Sequence, residues 1–285
     1  MIPTRPFVLA LVVVTSLPAC ARTEPEHRFE LTGTVGAREA PGSRVIIAHD
    51  PVEGLMPAMS MPFEIRGETP GLREGDRIAA TLVVTSSRSW VENVRITGAG
   101  SAAGNTAVSS SHAAPGVVVP DFALVNQDGA SLTLRDFAGR VLVVSFIYTR
   151  CPLPDFCPLM VKHLEAVRRR ADEGRVGDRV ALLGVTLDPA FDTPAVLRSY
   201  GESVLKGANR FEQWTLATGT LEQVEDIARF FGVAVRAEGG LVTHTLSTAV
   251  IGHDRRIMRI FASNSWRPDD LFAEVRRGVE RAKGH

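Results

Sequence analysis

The sequence predicts an α/β domain preceded by a small all-β domain. Three observations carry this: closely spaced alternating runs with turn signals over residues 28–98, a small-residue stretch without periodicity over 99–116, and alternating strand and helix signals over 117–283. With 285 residues, 45% of them hydrophobic, the chain can build cores for one large or two ordinary domains. Its 32 basic and 32 acidic side chains balance, and no basic block or helix offers a footprint for nucleic acid, which is excluded as a partner.

The N-terminus sets the compartment. Arg5 precedes "FVLALVVVTSL", an apolar run short for a bilayer span and suited to a signal-peptide core. "LPAC" then ends in Cys20. Small residues before a cysteine at this point resemble the cleavage box of bacterial lipoproteins. That resemblance implies removal of residues 1–19, a lipid on Cys20, and a membrane-anchored lipoprotein facing the periplasm or cell exterior. Ordinary cleavage nearby, with Cys20 a bystander, is the other reading. Either way the mature protein is exported to where disulfides can form.

"FELTGTVGA", "SRVIIAH", "SMPFEI", "DRIAATLVV" and "WVENVRIT" read as five short strands, with "APGS" and "GLREGD" as turns. No helix of useful length fits, so residues 28–98 are expected to form a small antiparallel barrel, OB-like in strand count. "AGSAAGNTAVSSSHAAPG", residues 99–116, reads as a flexible linker.

In the second domain "LVVSFIY" is a buried strand, "CPLMVKHLEAVRRRA" an amphipathic helix and "VALLGVTL" the next strand. Pro194 suits the first turn of a helix over "TPAVLRSYGESVL", and Gly232 the end of one over "LEQVEDIARFFGV". "TLSTAVIG" and "RIMRIFA" form a hairpin around "HDRR", and "RPDDLFAEVRRGVERA" is the closing helix. This is the element order of a thioredoxin-like domain.

The chemistry centres on "YTRCPLPDFCPLM". With Cys20 lipidated, Cys151 and Cys157 remain as the free thiols. A bridge across so few residues removes little unfolded-state entropy, so a reactive or metal-binding pair is expected rather than a staple. Both fall between a strand and its helix, where the helix N-terminus favours thiolate. That position suits disulfide exchange and metal binding alike. Five intervening residues, stiffened by Pro152 and Pro154, make an open loop that can turn both sulfurs to a common point. Two thiolates are a soft site suited to Cu(I), with an imidazole as an acceptable third ligand. His244, in "GLVTHTLSTAVIG", is the candidate because it enters the strand expected beside the cysteine strand. No proline occurs from Leu241 to Arg267, where a thioredoxin would place its cis-proline. His163, about two turns into the cysteine helix, is expected to face solvent.

"SFIYTRCPLPDFCPLM", "GVTLDPAFDTP" and "THTLS" together resemble the Sco/SenC family of copper chaperones for cytochrome c oxidase assembly, over nearly all of 117–283. The resemblance implies copper binding by Cys151, Cys157 and His244 and delivery to a copper-accepting protein such as a cytochrome c oxidase subunit. The family's usual gap of three residues between the cysteines is five here. Asp188 matches the family's acidic loop, either as a turn or cap residue or as a group supporting the ligands.

The first domain carries "HDPVEGLMPAMSMPF". Met59 and Met61 are two apart on an expected strand and share a face. Met56, Met59 and Met61 are half of the chain's six methionines. They could be a flexible core patch. With His49 they form a set of thioether and imidazole donors that points to copper rather than zinc. The stretch is similar to CusF-like periplasmic copper-binding domains, which implies ligand roles for His49, Met59 and Met61. Met56 stands near the family's tryptophan position, one residue out of register.

A copper metallochaperone is therefore weighed against a thiol–disulfide oxidoreductase that reduces an apo-protein through Cys151 and Cys157, and against copper sequestration for tolerance. A peroxidase lacks its threonine, since Tyr148 holds that position. Zinc at Cys151, Cys157 and His244 would leave an open position with no general base. No residue is assigned a catalytic role.

Overall fold

A computed structural model of the chain describes residues 24–38, 44–56, 58–68, 71–99, 113–205, 210–233, 236–238, 241–243, 246–262 and 266–283. The expected signal peptide over 1–19, Cys20, most of the linker, and His244 lie outside these residues. Among the described residues no helix is long and apolar enough to cross a membrane.

Alternation in the first domain becomes five strands, β1 (His27–Arg38), β2 (Arg44–His49), β3 (Met59–Glu64), β4 (Arg77–Val84) and β5 (Ser89–Gly98). They pair antiparallel in the order β3-β2-β1-β4-β5. The period-two burial of β2 and β3 turns Val45, Ile47 and His49 inward with Met59, Met61 and Phe63. The all-β sheet is as expected, but no ladder closes it into a barrel among the described residues. Only a single bridge, Ile65 to Val91, links the two edges among the described residues.

The second domain follows the expected order and adds elements to it. β6 (Ala123–Asn126) and β7 (Ser131–Thr133) form a hairpin, and β8 (Val141–Ile147) leads through the thiol loop into α1 (Cys157–Glu173). Then come β9 (Val180–Thr186), α2 (Pro194–Val204), a one-turn α3 (Arg210–Gln213), β10 (Trp214–Thr218) and α4 (Leu221–Phe230). A small hairpin of β11 (Arg236–Glu238) and β12 (Leu241–Thr243) precedes β13 (Ser247–Ile251), β14 (Ile257–Ala262) and α5 (Pro268–Arg281). The sheet runs β14-β13-β8-β9-β10-β6-β7, with β8, β9 and β10 parallel. Every residue of β8 and β9 is buried because both sheet faces are covered. α1 and α5 contribute Met160, Leu164, Leu271 and Val275 to one core. α4 contributes Ile227 and Ala228 to the other.

Pro194 and Gly232 sit as expected. Thr193 caps α2 ahead of Pro194, and Gly232 adopts φ +73° just past α4. Of the stretch read as linker, 113–116 packs on the second domain. The Ala113 N–H donates to Phe230 O at 3.2 Å, and the Gly116 N–H to Ile257 O at 2.7 Å.

Candidate metal centres

The thiol pair is built by the β8–α1 connection. The Cys151 N–H donates to Tyr148 O at 3.1 Å, and the Phe156 N–H to Leu153 O at 3.2 Å, so the loop makes two turns before the helix starts. Cys157 opens α1, with Pro158 in the first turn where a missing N–H costs nothing. Both cysteines are free; Cys157 is buried and Cys151 half-buried. The two thiols differ in their tendency to ionise. A hydrogen bond from Cys157 lowers the Cys151 pKa, opposed by burial and helped by the backbone N–H at the helix start. Donating that bond, together with burial, raises Cys157 well above the usual thiol range. The two sulfurs share one environment, with Cys151 the more accessible of them.

Asp188 acts on the loop from the side. Its carboxylate pairs with Arg150 at 2.5 Å, and its carbonyl accepts the Asp192 N–H at 2.8 Å. Asp188 thus closes a turn through its carbonyl and holds the residue next to Cys151 through its carboxylate. Sequence reasoning passed over Asp192. Fully buried, it accepts hydrogen bonds from Thr149 Oγ1 and, at 2.5 Å, from Thr186 Oγ1. This ties the thiol loop to the end of β9. Burial raises the Asp192 pKa and the two hydroxyls oppose that rise.

His244 lies outside the described residues. Among those described, no three His, Cys, Asp or Glu side chains gather as a metal site. β13 does pair with β8, Thr248 opposite Ser145, as expected for the strand that His244 precedes. Leu246, two residues after His244, is buried in the cluster against which Cys151 packs.

In the first domain the ladder brings the predicted donors together. His49 lies opposite Met59, and Ile47 opposite Met61. A short turn at Glu53–Gly54 returns Met56, whose N–H donates to Val52 O at 3.1 Å, into the same cluster. His49 is 1% exposed, and Met56, Met59 and Met61 are between 3% and 5% exposed. Gly33 faces His49 across β1 and β2, where a Cβ would stand 2.6 Å from Ala48 O and 2.7 Å from His49 Cα. Only glycine fits that approach.

The Nδ1–H of His49 donates to Asp50 O at 2.7 Å, leaving Nε2 with the lone pair. Nε2 is buried and has no hydrogen-bond partner among the described residues. Burial lowers the His49 pKa, which keeps the ring neutral and able to ligate. An unsatisfied nitrogen amid thioethers fits a soft monovalent metal and little else. His163 is corrected: it does not face solvent but is half-buried, its ring edge-on to Trp266 at 5.1 Å.

A thiol pair at the start of the helix after a central strand, on a mixed sheet flanked by helices, defines a thioredoxin-like protein. The chain belongs to the SCO1/SenC family, whose model matches residues 110–280. Residues 28–96 match the family described as copper binding periplasmic protein CusF. The SCO1 protein homolog of Bacillus subtilis is 25% identical over 163 residues, 55% of this chain and 81% of that protein. The human mitochondrial SCO1 homolog is 27% identical over 161 residues, 54% of this chain; the match spans about half of its length, 50%. The solved structure of BsSco, described as having a disulfide switch and as a member of the Sco family of cytochrome c oxidase assembly proteins, is 25% identical. It superposes with TM-score 0.50 over 59% of this chain and 96% of its own.

Proposed function

We propose that this chain is an extracytoplasmic copper metallochaperone. It binds copper through Cys151, Cys157 and His244, holds a second copper at His49, Met59 and Met61, with Met56 beside them, and delivers the metal to an accepting protein such as a cytochrome c oxidase subunit. A lipid on Cys20 tethers it to the membrane. The observation that carries this reading is the buried, unpartnered Nε2 of His49 in one cluster with three methionines. A polar atom so placed costs about 1–3 kcal/mol, which a bonded metal returns. The match to a copper-binding family over 28–96, and the membership of BsSco in a family of cytochrome c oxidase assembly proteins, support the same cargo. The test is metal analysis of the mature protein, reduced and anaerobic. Two Cu(I) per chain are expected, and a protein that retains none overturns the reading.

The unequal burial of the two thiols favours a second activity at the same loop. Cys151, the half-buried and so more accessible sulfur, is the attacking one in exchange with a partner's disulfide, and the buried Cys157 resolves the mixed disulfide. The partner leaves with two thiols and this chain with a Cys151–Cys157 disulfide. A copper-accepting thiolate site has to be reduced before loading, so the two activities serve one recipient.

A further inference from the structure

The thiol loop of the second domain and the methionine face of the first meet in a single apolar cluster. Leu153, Phe156 and Leu246 pack there with Met59, Met61 and Phe63, and Cys151 lies against them. A run of rings crosses the junction. His49 meets Phe63 edge-on at 5.9 Å between centroids, and Phe63 meets Phe156 at 6.4 Å. Phe156 directly precedes Cys157. At the side of the junction Ser89 Oγ donates to Asp155 Oδ1 at 2.6 Å. Leu153 is 0% and Phe156 2% exposed, although both belong to a loop. Loops run over the surface, so large apolar side chains buried to that degree need a surface built to receive them.

We propose that residues 152–156 are a docking plug that closes the thiol pair onto the methionine face, and that copper crosses this junction between the two donor sets without entering solvent. The proposal rests on the copper reading above and deepens it. The closed junction covers His49 and the methionines, so copper enters with the plug withdrawn, and closure commits it to the cysteines. In the exchange Cu(I) leaves the imidazole and thioether donors, and the Cys151 and Cys157 sulfurs bond to it. Two thiol protons pass to water, and no electron moves.

Two measurements on the full mature chain test this, with Leu153→Asp as the principal variant and Ser89→Ala as a milder one. The first uses no metal: alkylation of Cys151 by iodoacetamide in the reduced protein should quicken about tenfold in Leu153→Asp and less in Ser89→Ala, through local opening. The second starts with the cysteines oxidised and one Cu(I) loaded. A phosphine then reduces the disulfide in the presence of bathocuproine disulfonate, a Cu(I) chelator. The wild type should develop thiolate–Cu(I) absorption, while Leu153→Asp should lose most of its copper to the chelator. Equal alkylation rates and equal chelator capture in all three proteins would overturn the plug. Failure of the copper reading looks different: no protein would hold Cu(I), yet the alkylation contrast would persist. Should Leu153→Asp lose its cooperative thermal transition, Ser89→Ala decides by the same two readouts.

Discussion

His49 is neutral, buried and held by one hydrogen bond, with its second nitrogen unpaired. Copper at that nitrogen would stabilise the fold by mass action, since the unfolded chain has no such pocket. Replacing Met59 and Met61 with Leu conserves volume at a cost of about 1.5 kcal/mol or less per site. The double variant should fold, lose one of two Cu(I) equivalents, and lose the rise in melting temperature that the metal gives the wild type. Full stoichiometry would make the methionines ordinary core. His244→Ala separates the activities of the other site. Copper retention should fall and its spectrum change, while Cys151 and Cys157 still oxidise and are reduced, because exchange needs only a thiolate, a partner sulfur and access. Unchanged copper affinity with impaired exchange would make His244 a base instead. The donor types were legible in the sequence because few side chains bind a soft metal and their spacing fell on one strand or loop. Gly33, Leu153 and Phe156 were not. Each matters only through a surface from a distant part of the chain, such as the strand that presses Ala48 against Gly33.

Elements fix what residues can do, and Asp192 shows how. It joins the thiol loop, through Thr149, to the end of β9, through Thr186. Asp192→Ala leaves two hydroxyls short of an acceptor and should cost about 1–3 kcal/mol. Thermal denaturation measures that loss. Faster alkylation of Cys151 should accompany it, and Asp192→Asn, which keeps one acceptor, should restore most of both. α1 offers a pH dependence through His163. Burial against Trp266 lowers the pKa of its imidazole, so the fold holds it neutral and the unfolded chain protonates first as pH falls. Its contribution to stability is complete above the unfolded value of about 6.5 and is lost as pH drops through the folded pKa. His163→Phe should lose less melting temperature than the wild type between about pH 7 and pH 5; parallel curves would remove His163 from the acid response. The long elements were readable because β8 and β9 are continuous apolar runs and α1 and α5 have clear apolar stripes. β10, five residues without alternation, and the β6–β7 hairpin carry too short a pattern for periodicity to register. Closure of the first sheet was not legible, because strand count says nothing about whether the edges pair.

At the scale of the molecule two donor sets share one chain, and proximity decides how copper moves between them. With 113–116 held against the second domain, the small-residue composition of the fourteen positions 99–112 predicts a span of roughly 21 Å for a flexible chain. Each site then meets the other at an effective concentration on the order of millimolar. Transfer in the intact protein should therefore be first-order and independent of dilution. A protease site introduced between residues 100 and 112 tests this within one preparation. After cleavage the halves meet at their bulk concentration, so at about micromolar protein the transfer rate should fall and scale with dilution. The plug junction works against separation: Leu153 and Phe156, fully buried, contribute about 1.5–3 kcal/mol each if exposed on parting. Association costs at least about 4 kcal/mol in lost freedom. The two terms are of the same size, so the junction alone should not hold cut halves together at low concentration. If the cut protein still transfers at the intact rate when diluted a hundredfold, the junction is tighter than its buried side chains account for, and tethering contributes nothing. If it slows in proportion to dilution, joining the two domains in one chain is what makes the transfer fast.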